Sequence, residues 1–334
     1  MYNFFSQDTT SFKTDLKNAT CIKSTQNFDA IGSAIRNEKR SASLCAIGEA
    51  YERYGLMQYN CVPSKKVMAV SLLDMSVREF DINFLREQGI LFDSCGCAAH
   101  VNSTDCIEKA FLEFIERQSF ILWYLSKGKS YSLPTDFLDL HAELTSVFSD
   151  ARAYELSLLD SRYVVFLIGK IKDIISVSLA TANDLMSACE GTVNEIYQMH
   201  ESIITNSFTK QNSTTSGKAS DYGDAYFMVA PEKIANAYRS IEQKALSISL
   251  RPSSQCVNLT DEVKELNKKY GMNPYVMFLP TQETNDNNIK VCKVFDLNWF
   301  PNLLPKTYHT RIYDYIESAT GLKLDRACTY IPFP

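Results

Sequence analysis

Apolar positions along this chain recur at two periods, three-to-four and two. From Ser41 the run SASLCAIGEAYERYGLMQY sets Leu44 or Cys45, Ile47 or Gly48, Tyr51 and Tyr54 at helical steps, predicting a first helix with one apolar face. A longer helix is predicted for CIEKAFLEFIERQSFILWYLSK, apolar at 107, 110, 111, 114, 115, 121 and 122. The preceding VNSTD offers Ser103 or Thr104 as N-cap, and Lys127-Gly128 ends the helix. Between the two, Val67 to Leu73 reads as a buried strand, and ILFDSCGC as a strand ending in a tight turn of small residues. Strand-like runs within Tyr154 to Ala180 lead into a third helix, from Asn183 to about Ile204. Further helices are expected from about Pro231 to Ala245 and from Asp261 to Tyr270, with strands near 275 and 291. Residues 1–30 are polar and mixed, and Ile31 to Arg40 reads as a turn or short strand followed by charge. The Ser-, Thr- and Gly-rich stretch 206–224 reads as an exposed flexible loop, either a lid or an insertion. No linker interrupts the chain. The expectation is one mixed α/β (α+β) domain over 1–334, its helices packed on mixed β-sheets.

Composition narrows the functional classes. The 334 residues are 45% hydrophobic and 22% charged, with 19 Phe and 18 Tyr, which supports a packed core and excludes disordered or collagen-like chains. With 34 Lys and Arg against 39 Asp and Glu, the formal charge is −5 and no basic field favours nucleic acid. The N-terminus lacks an apolar signal region, and the longest apolar runs, Phe120 to Leu125 and Tyr163 to Gly169, fall short of a bilayer span. A cytoplasmic protein with no membrane partner is therefore expected, its ten cysteines reduced. Cys95-Gly-Cys97 near His100 lacks the second ligand pair that structural zinc requires.

The common nucleotide and hydrolase signatures fail. Ser126-Lys-Gly-Lys-Ser130 contains GKS, but Trp123 occupies the position where a P-loop needs glycine. The chain has no GxGxxG after a strand, no GxSxG and no HExxH. An internal echo remains: Glu49-Ala-Tyr-Glu52-Arg53 and Glu113-Phe-Ile-Glu116-Arg117, each ExxER. An i, i+3 spacing places both carboxylates of a pair on one helix face beside large apolar residues, where unpaired charge is costly. Asp105 lies about two turns before Glu113, near the same stripe, and Glu195 and Gln198 repeat the i, i+3 spacing on the third helix. Two readings stay open: solvated faces with intrahelical ion pairs, or an all-oxygen site for a hard cation such as Mg²⁺. A di-iron site needs Glu-x-x-His on two helices, whereas the i+3 partners here are Glu52 and Glu116 and the histidines (100, 141, 200, 309) lie elsewhere.

These residues resemble the YcaO family of ATP-dependent enzymes that activate peptide backbone amides. The resemblance rests on AIGEAYER (Ala46 to Arg53), SCGCAAHVNSTDCIEKAFLEFIERQS (Ser94 to Ser119), NEIYQ (Asn194 to Gln198) and the final IPFP. Within the family the chain most resembles the cyclodehydratase subunits of synthetases that install thiazoles and oxazoles in microcins. The resemblance implies an ATP site without a P-loop, with Glu49, Glu52, Asp105, Glu113 and Glu116 in Mg²⁺ and nucleotide roles and Glu195 and Gln198 matching a third motif. Arg53 and Arg117 either contact phosphate or balance the adjacent glutamates. The implied reaction converts Cys, Ser or Thr of a ribosomally made precursor peptide into thiazolines or oxazolines, a thioamide- or amidine-forming enzyme and a catalytically silent nucleotide-binding scaffold being the alternatives. By the same resemblance, the terminal carboxylate of Pro334 orients or deprotonates the substrate and Pro332 stiffens the tail. The implied partners are an E1-like leader-peptide-binding scaffold and an FMN-dependent azoline dehydrogenase. Two departures stand out. The segment before the first helix is Ala34 to Ser43, AIRNEKRSAS, whose Arg36, Lys39 and Arg40 replace a Gly-rich approach; and the family's asparagine aligns with Val101, Asn102 being one position later.

Overall fold

The computed structural model describes residues 2–8, 10, 15–61, 63, 65–128, 130–133, 144, 147–212, 226, 229–247 and 258–333, with backbone alone at 2, 205–212, 240, 241 and 247. Residues 1–30, to which the pattern assigned no element, form strands β1 (Tyr2–Gln7) and β2 (Lys17–Ser24), and the turn or short strand expected from Ile31 is β3 (Asp29–Arg36); the three make an antiparallel sheet. Its inward positions are small, Ala19, Cys21 and Ala34, so alternation there carries little hydrophobic signal. Small residues are what the contact requires, because β3 lies directly on α1 (Lys39–Cys61): a Cβ on Gly32 would stand 2.1 Å from the Ala46 carbonyl oxygen. The buried stripe of α1 accordingly begins at Ala42, Ala46 and Ala50. The face expected at Leu44 and Cys45 is exposed, while Tyr51 and Tyr54 are buried as expected.

The second sheet joins β4 (Lys66–Ser71), β5 (Val77–Asp81), β6 (Cys97–His100), β12 (Tyr275–Phe278) and β13 (Lys290–Phe295) in the order β5-β4-β12-β13-β6, all antiparallel. Alternation along β13 gives the sheet two apolar faces. Cys97, Val291 and Phe295 pack with Tyr51, Leu56 and Tyr59 of α1, while Ala98, Cys292 and Val294 pack with Cys106, Ala110, Phe111 and Phe114 of α3 (Ser103–Ser126). The expected strand at ILFDSCGC is displaced. A short helix, α2 (Ile82–Glu87), precedes the segment, turns and bends occupy most of 90–96, and the strand follows the CGC turn. Gly96 makes the reversal possible, with φ +73 and its Cα against the Val294 carbonyl, where a Cβ would meet the oxygen at 2.3 Å. The N-cap of α3 is Asn102 rather than Ser103 or Thr104, its side chain accepting from Thr104 N and Asp105 N.

The third sheet has the order β10-β9-β8-β7-β11: β7 (Tyr131–Ser132), β8 (Asp150–Glu155), β9 (Tyr163–Ile171), β10 (Ile174–Ala182) and β11 (Leu246–Ser247). It is antiparallel except for the parallel β11–β7 pair, which makes it mixed. Helix α3 runs between the second and third sheets, Phe120 and Trp123 meeting Phe166 of β9 at centroid distances of 5.2 and 5.3 Å. Helix α4 (Leu185–Asn212) covers β9 and β10 and reaches β3. It continues through 206–212, where a loop was expected, and 213–224 lie outside the described residues. The remaining helices are α5 (Pro231–Glu242), α6 (Leu259–Tyr270), α7 (Gln282–Asp286) and α8 (Thr310–Thr320). A buried bidentate pair ties α6 to the third sheet: Arg162 donates to Glu262 at 2.6 and 2.9 Å. No helix among the described residues is long and apolar enough to cross a membrane.

Candidate active site

Three helices from distant parts of the chain bring the acidic residues together. Helix α1 lies on one face of the second sheet, α3 on the other, and α4 covers the third sheet; Glu49 and Gln198 meet at β3, and the carboxylates of all three helices repel one another. Strand β3 is the hinge of the contact. Ser33 donates its backbone N–H to Glu49 Oε2 at 2.7 Å, Gln198 Nε2 donates to Ser33 Oγ at 3.3 Å, and Arg36 stands 3.8 Å from Glu195. Arg53 pairs with Glu49 at 2.6 Å, and Arg117 Nε lies 3.7 Å from both Glu113 and Glu116.

The field among these groups is strongly acidic. Burial pushes Glu52 well above the usual carboxylate range, and repulsion from Glu113 and Glu49 adds to it. Burial raises Glu116 to about 8, with Arg117 pulling the other way and Glu113 and Glu195 adding repulsion. Burial raises Glu113 to about 7 against the attraction of Arg117 and Lys293. Glu195 is raised as well, by burial first and opposed by Arg36. Arg117 is raised because Glu116, Cys95 and Glu113 outweigh the burial that opposes its charge. These side chains nevertheless keep some solvent contact, from 11% at Glu116 to 45% at Glu195, so they are not sealed in the interior.

Carboxylates held in the cost of their own repulsion are the groups a hard cation relieves, and their donor set is oxygen only, as Mg²⁺ prefers. Two donors of Arg117, Nε and Nη1, are buried without a hydrogen bond, its ion pairs with Glu113 and Glu116 being longer than one, so they can still donate to an anion that enters the site. The residues therefore fit a metal-triphosphate ligand, although among the described residues no three acidic, histidine or cysteine side chains converge as a ready ion site. Asp105 stands apart from the other carboxylates in its pairing. Half-exposed at the start of α3, it faces His100 Nδ1 at 3.3 Å.

The chain's last described residues run into this region. Tyr238 of α5 donates its hydroxyl hydrogen to the Pro332 carbonyl at 2.7 Å, Phe333 packs at a tilt against Phe120 with ring centres 4.8 Å apart, and the Arg117 guanidinium lies 4.7 Å from the Phe333 ring centre. Pro332 is buried; Pro334 lies outside the described residues.

The pattern missed two residues of this arrangement, Ser33 and Lys293. Ser33 carried no signal, since its role is a backbone N–H presented by a strand edge. Lys293 did carry one: it is a charge inside the strand KVCKVF, whose neighbours are apolar, and it is completely buried.

A family model described as YcaO cyclodehydratase, ATP- and Mg²⁺-binding, matches residues 70–295, a span that includes the whole of α3 and α4 but not α1. No curated protein matches the chain. Among solved structures the chain is similar to the E. coli microcin synthetase McbBCD complex, at 16% identity and TM-score 0.65 over 95% of this chain and 93% of that one. The same complex with pro-MccB17 bound gives 17% identity and TM-score 0.66 over 95% and 96%. YcaO from Methanopyrus kandleri, bound with AMPPCP and Mg²⁺, gives 15% and 0.63 over 89% and 85%. At such identities the likeness is one of fold.

Proposed function

This chain belongs to the YcaO family, and on that premise we propose that it is an ATP- and Mg²⁺-dependent peptide cyclodehydratase working as one subunit of an azole-forming synthetase. In this reading a Cys, Ser or Thr side chain of a ribosomally made peptide attacks the preceding backbone carbonyl, the oxyanion takes the γ-phosphoryl of ATP, and phosphate departs to leave a thiazoline or oxazoline, ADP and phosphate. The observation that carries the reading is the set of five glutamates from three helices beside Arg117, whose Nε and Nη1 make no hydrogen bond.

Glu49, Glu52, Glu113 and Glu116 are assigned to holding Mg²⁺, and Asp105 joins them through the family resemblance alone. When bound, Mg²⁺ offsets charge on the transferred phosphoryl group. Arg117 is assigned to a phosphate oxygen through Nε and Nη1, which make no hydrogen bond, while Glu195 and Gln198 orient the nucleotide from α4. Arg53, already paired with Glu49, holds that carboxylate in place. Tyr238, Pro332 and Phe333 direct the chain's end toward Arg117, which supports the terminal carboxylate of Pro334 as the group that orients or deprotonates the attacking side chain. Likeness to a microcin synthetase complex, and to its form with pro-MccB17 bound, supports partner subunits: an E1-like scaffold that presents the peptide and an FMN-dependent dehydrogenase that oxidises azolines. A cytoplasmic setting accords with this assembly.

Calorimetric titration with ATP, with and without Mg²⁺, is expected to give Mg²⁺-dependent binding that Glu52→Gln and Glu116→Gln abolish while circular dichroism stays unchanged. With partners and peptide present, the wild type should remove one water per ring by mass spectrometry. A product in which oxygen has been exchanged for sulfur would move the chain to thioamide formation, and binding without phosphate release would make it a silent scaffold.

A further inference from the structure

The guanidinium of Arg117 has two kinds of neighbour. Carboxylate oxygens of Glu113 and Glu116 each stand 3.7 Å from Nε, and the ring centre of Phe333 stands 4.7 Å from the guanidinium carbon. An arginine beside two carboxylates ordinarily closes to a charge-assisted hydrogen bond of about 2.7–2.9 Å. Here it stops short, and Nε and Nη1 keep their hydrogens unused although both are buried. A ring face accounts for that balance: it attracts the cation through its quadrupole, yet takes up none of the N–H groups that lie in the guanidinium plane.

The ring is also held firmly enough to act as a fixed plate. Phe333 is 4% exposed, and its ring centre lies 4.8 Å from that of Phe120, which follows Arg117 by three positions and so shares its face of α3. The backbone on either side is tied down: Tyr238 donates to the Pro332 carbonyl at 2.7 Å, and the Phe333 N–H donates to the carbonyl of the fully buried Ile331 at 2.8 Å. Helix α3 thus offers one face to the tail, with the cation and its aromatic support a single turn apart.

We propose that Phe333 is a positioning residue of the nucleotide site: its ring holds the Arg117 guanidinium short of Glu113 and Glu116, so that Nε and Nη1 stay open to an entering phosphate group. The inference rests on the reading of Arg117 as a phosphate contact. It makes docking of the tail and binding of a triphosphate mutually favourable, since both draw on one orientation of one guanidinium. When the ring attracts the cation less, the guanidinium closes onto the glutamates, and an incoming phosphate must first break that pair.

The test places 4-fluoro-, 3,5-difluoro- or 3,4,5-trifluorophenylalanine at position 333 of the full chain by codon suppression, beside wild type and Phe333→Leu. Each is titrated calorimetrically with tripolyphosphate and with ATP, both in MgCl₂. Successive fluorines drain the ring face at nearly constant shape. Affinity for both probes should therefore fall stepwise, by about fivefold to tenfold from phenylalanine to the trifluoro ring, with Phe333→Leu at or below the end of the series. Equal affinities across the fluorinated chains, with or without a loss in Phe333→Leu, would make the ring a packing element and overturn the proposal. Fluorinated chains that fail to fold would overturn it as well, assigning Phe333 to stability alone. A wild type that binds neither probe would overturn the reading of Arg117 itself, a result distinct from any of these.

Discussion

Glu116 is a carboxyl whose ordinary value of 4.5 is raised to about 8, mainly by burial. A folded chain that retains this proton while the unfolded chain releases it is favoured at low pH, so this group's contribution to stability falls as pH rises from about 4.5 toward about 8. Without nucleotide, the melting temperature of Glu116→Gln is expected to decline less between about pH 5 and about pH 8 than that of the wild type, which differential scanning fluorimetry across buffers checks; equal slopes would remove Glu116 from the strained set. The acidic residues were readable in the sequence because ExxER is a local spacing, interpretable from helix geometry alone. Ser33 was not, because what matters about it is a neighbour across the chain, Glu49; the charge of Lys293 inside an apolar strand was visible, but its contact with the Asp93 carbonyl was not. Asp105 shows the converse, a residue on the right helical stripe whose pairing is with His100 at the helix start.

At the scale of elements, the contact between β3 and α1 decides whether Glu49 meets Ser33. Gly32 leaves no room for a Cβ against the Ala46 carbonyl and Ala50 N, at 2.1 and 2.4 Å. Gly32→Ala is therefore expected to cost about 1–3 kcal/mol as the strand lifts from the helix, measured by urea unfolding, and to weaken ATP binding in the fraction that stays folded; a neutral substitution would mean that the strand can slide without consequence. Long amphipathic elements such as α3 and α6 were evident from periodicity, and so were β9 and β10, whose nine-residue runs are largely buried. The N-terminal sheet was not, since its inward residues are alanine and cysteine and its pattern resembles that of a polar loop. Helix α8 also went unassigned: its buried residues Ile312, Tyr313 and Ile316 are too few to separate a short helix from irregular chain. The start of the α1 stripe was misplaced, though Tyr51 and Tyr54 were not, because alanines that permit close approach carry less hydrophobic weight than the exposed Leu44.

Over the whole molecule, the chain's end is anchored by a residue outside the acidic site. Tyr238→Phe removes the hydrogen bond to the Pro332 carbonyl and is expected to cost about 1 kcal/mol of stability, yet to lower the rate of ring formation by more than that, since the tail that reaches Arg117 loses its anchor. Comparing the melting temperature with single-turnover rates separates the two effects, and equal losses would leave the tail a packing role only. The order of strands in the second sheet has a further effect, felt during synthesis. Strands β12 and β13 lie between β4 and β6, yet the ribosome makes them about two hundred residues after β4. Until they emerge, β4 and β6 each present an unpaired edge, and α3 has no sheet beneath its first turns. A nascent or prematurely ended chain is then an aggregation hazard with no nucleotide site, and expression yield depends on how well the cell shields the first 270 or so residues while the last two strands are still being made.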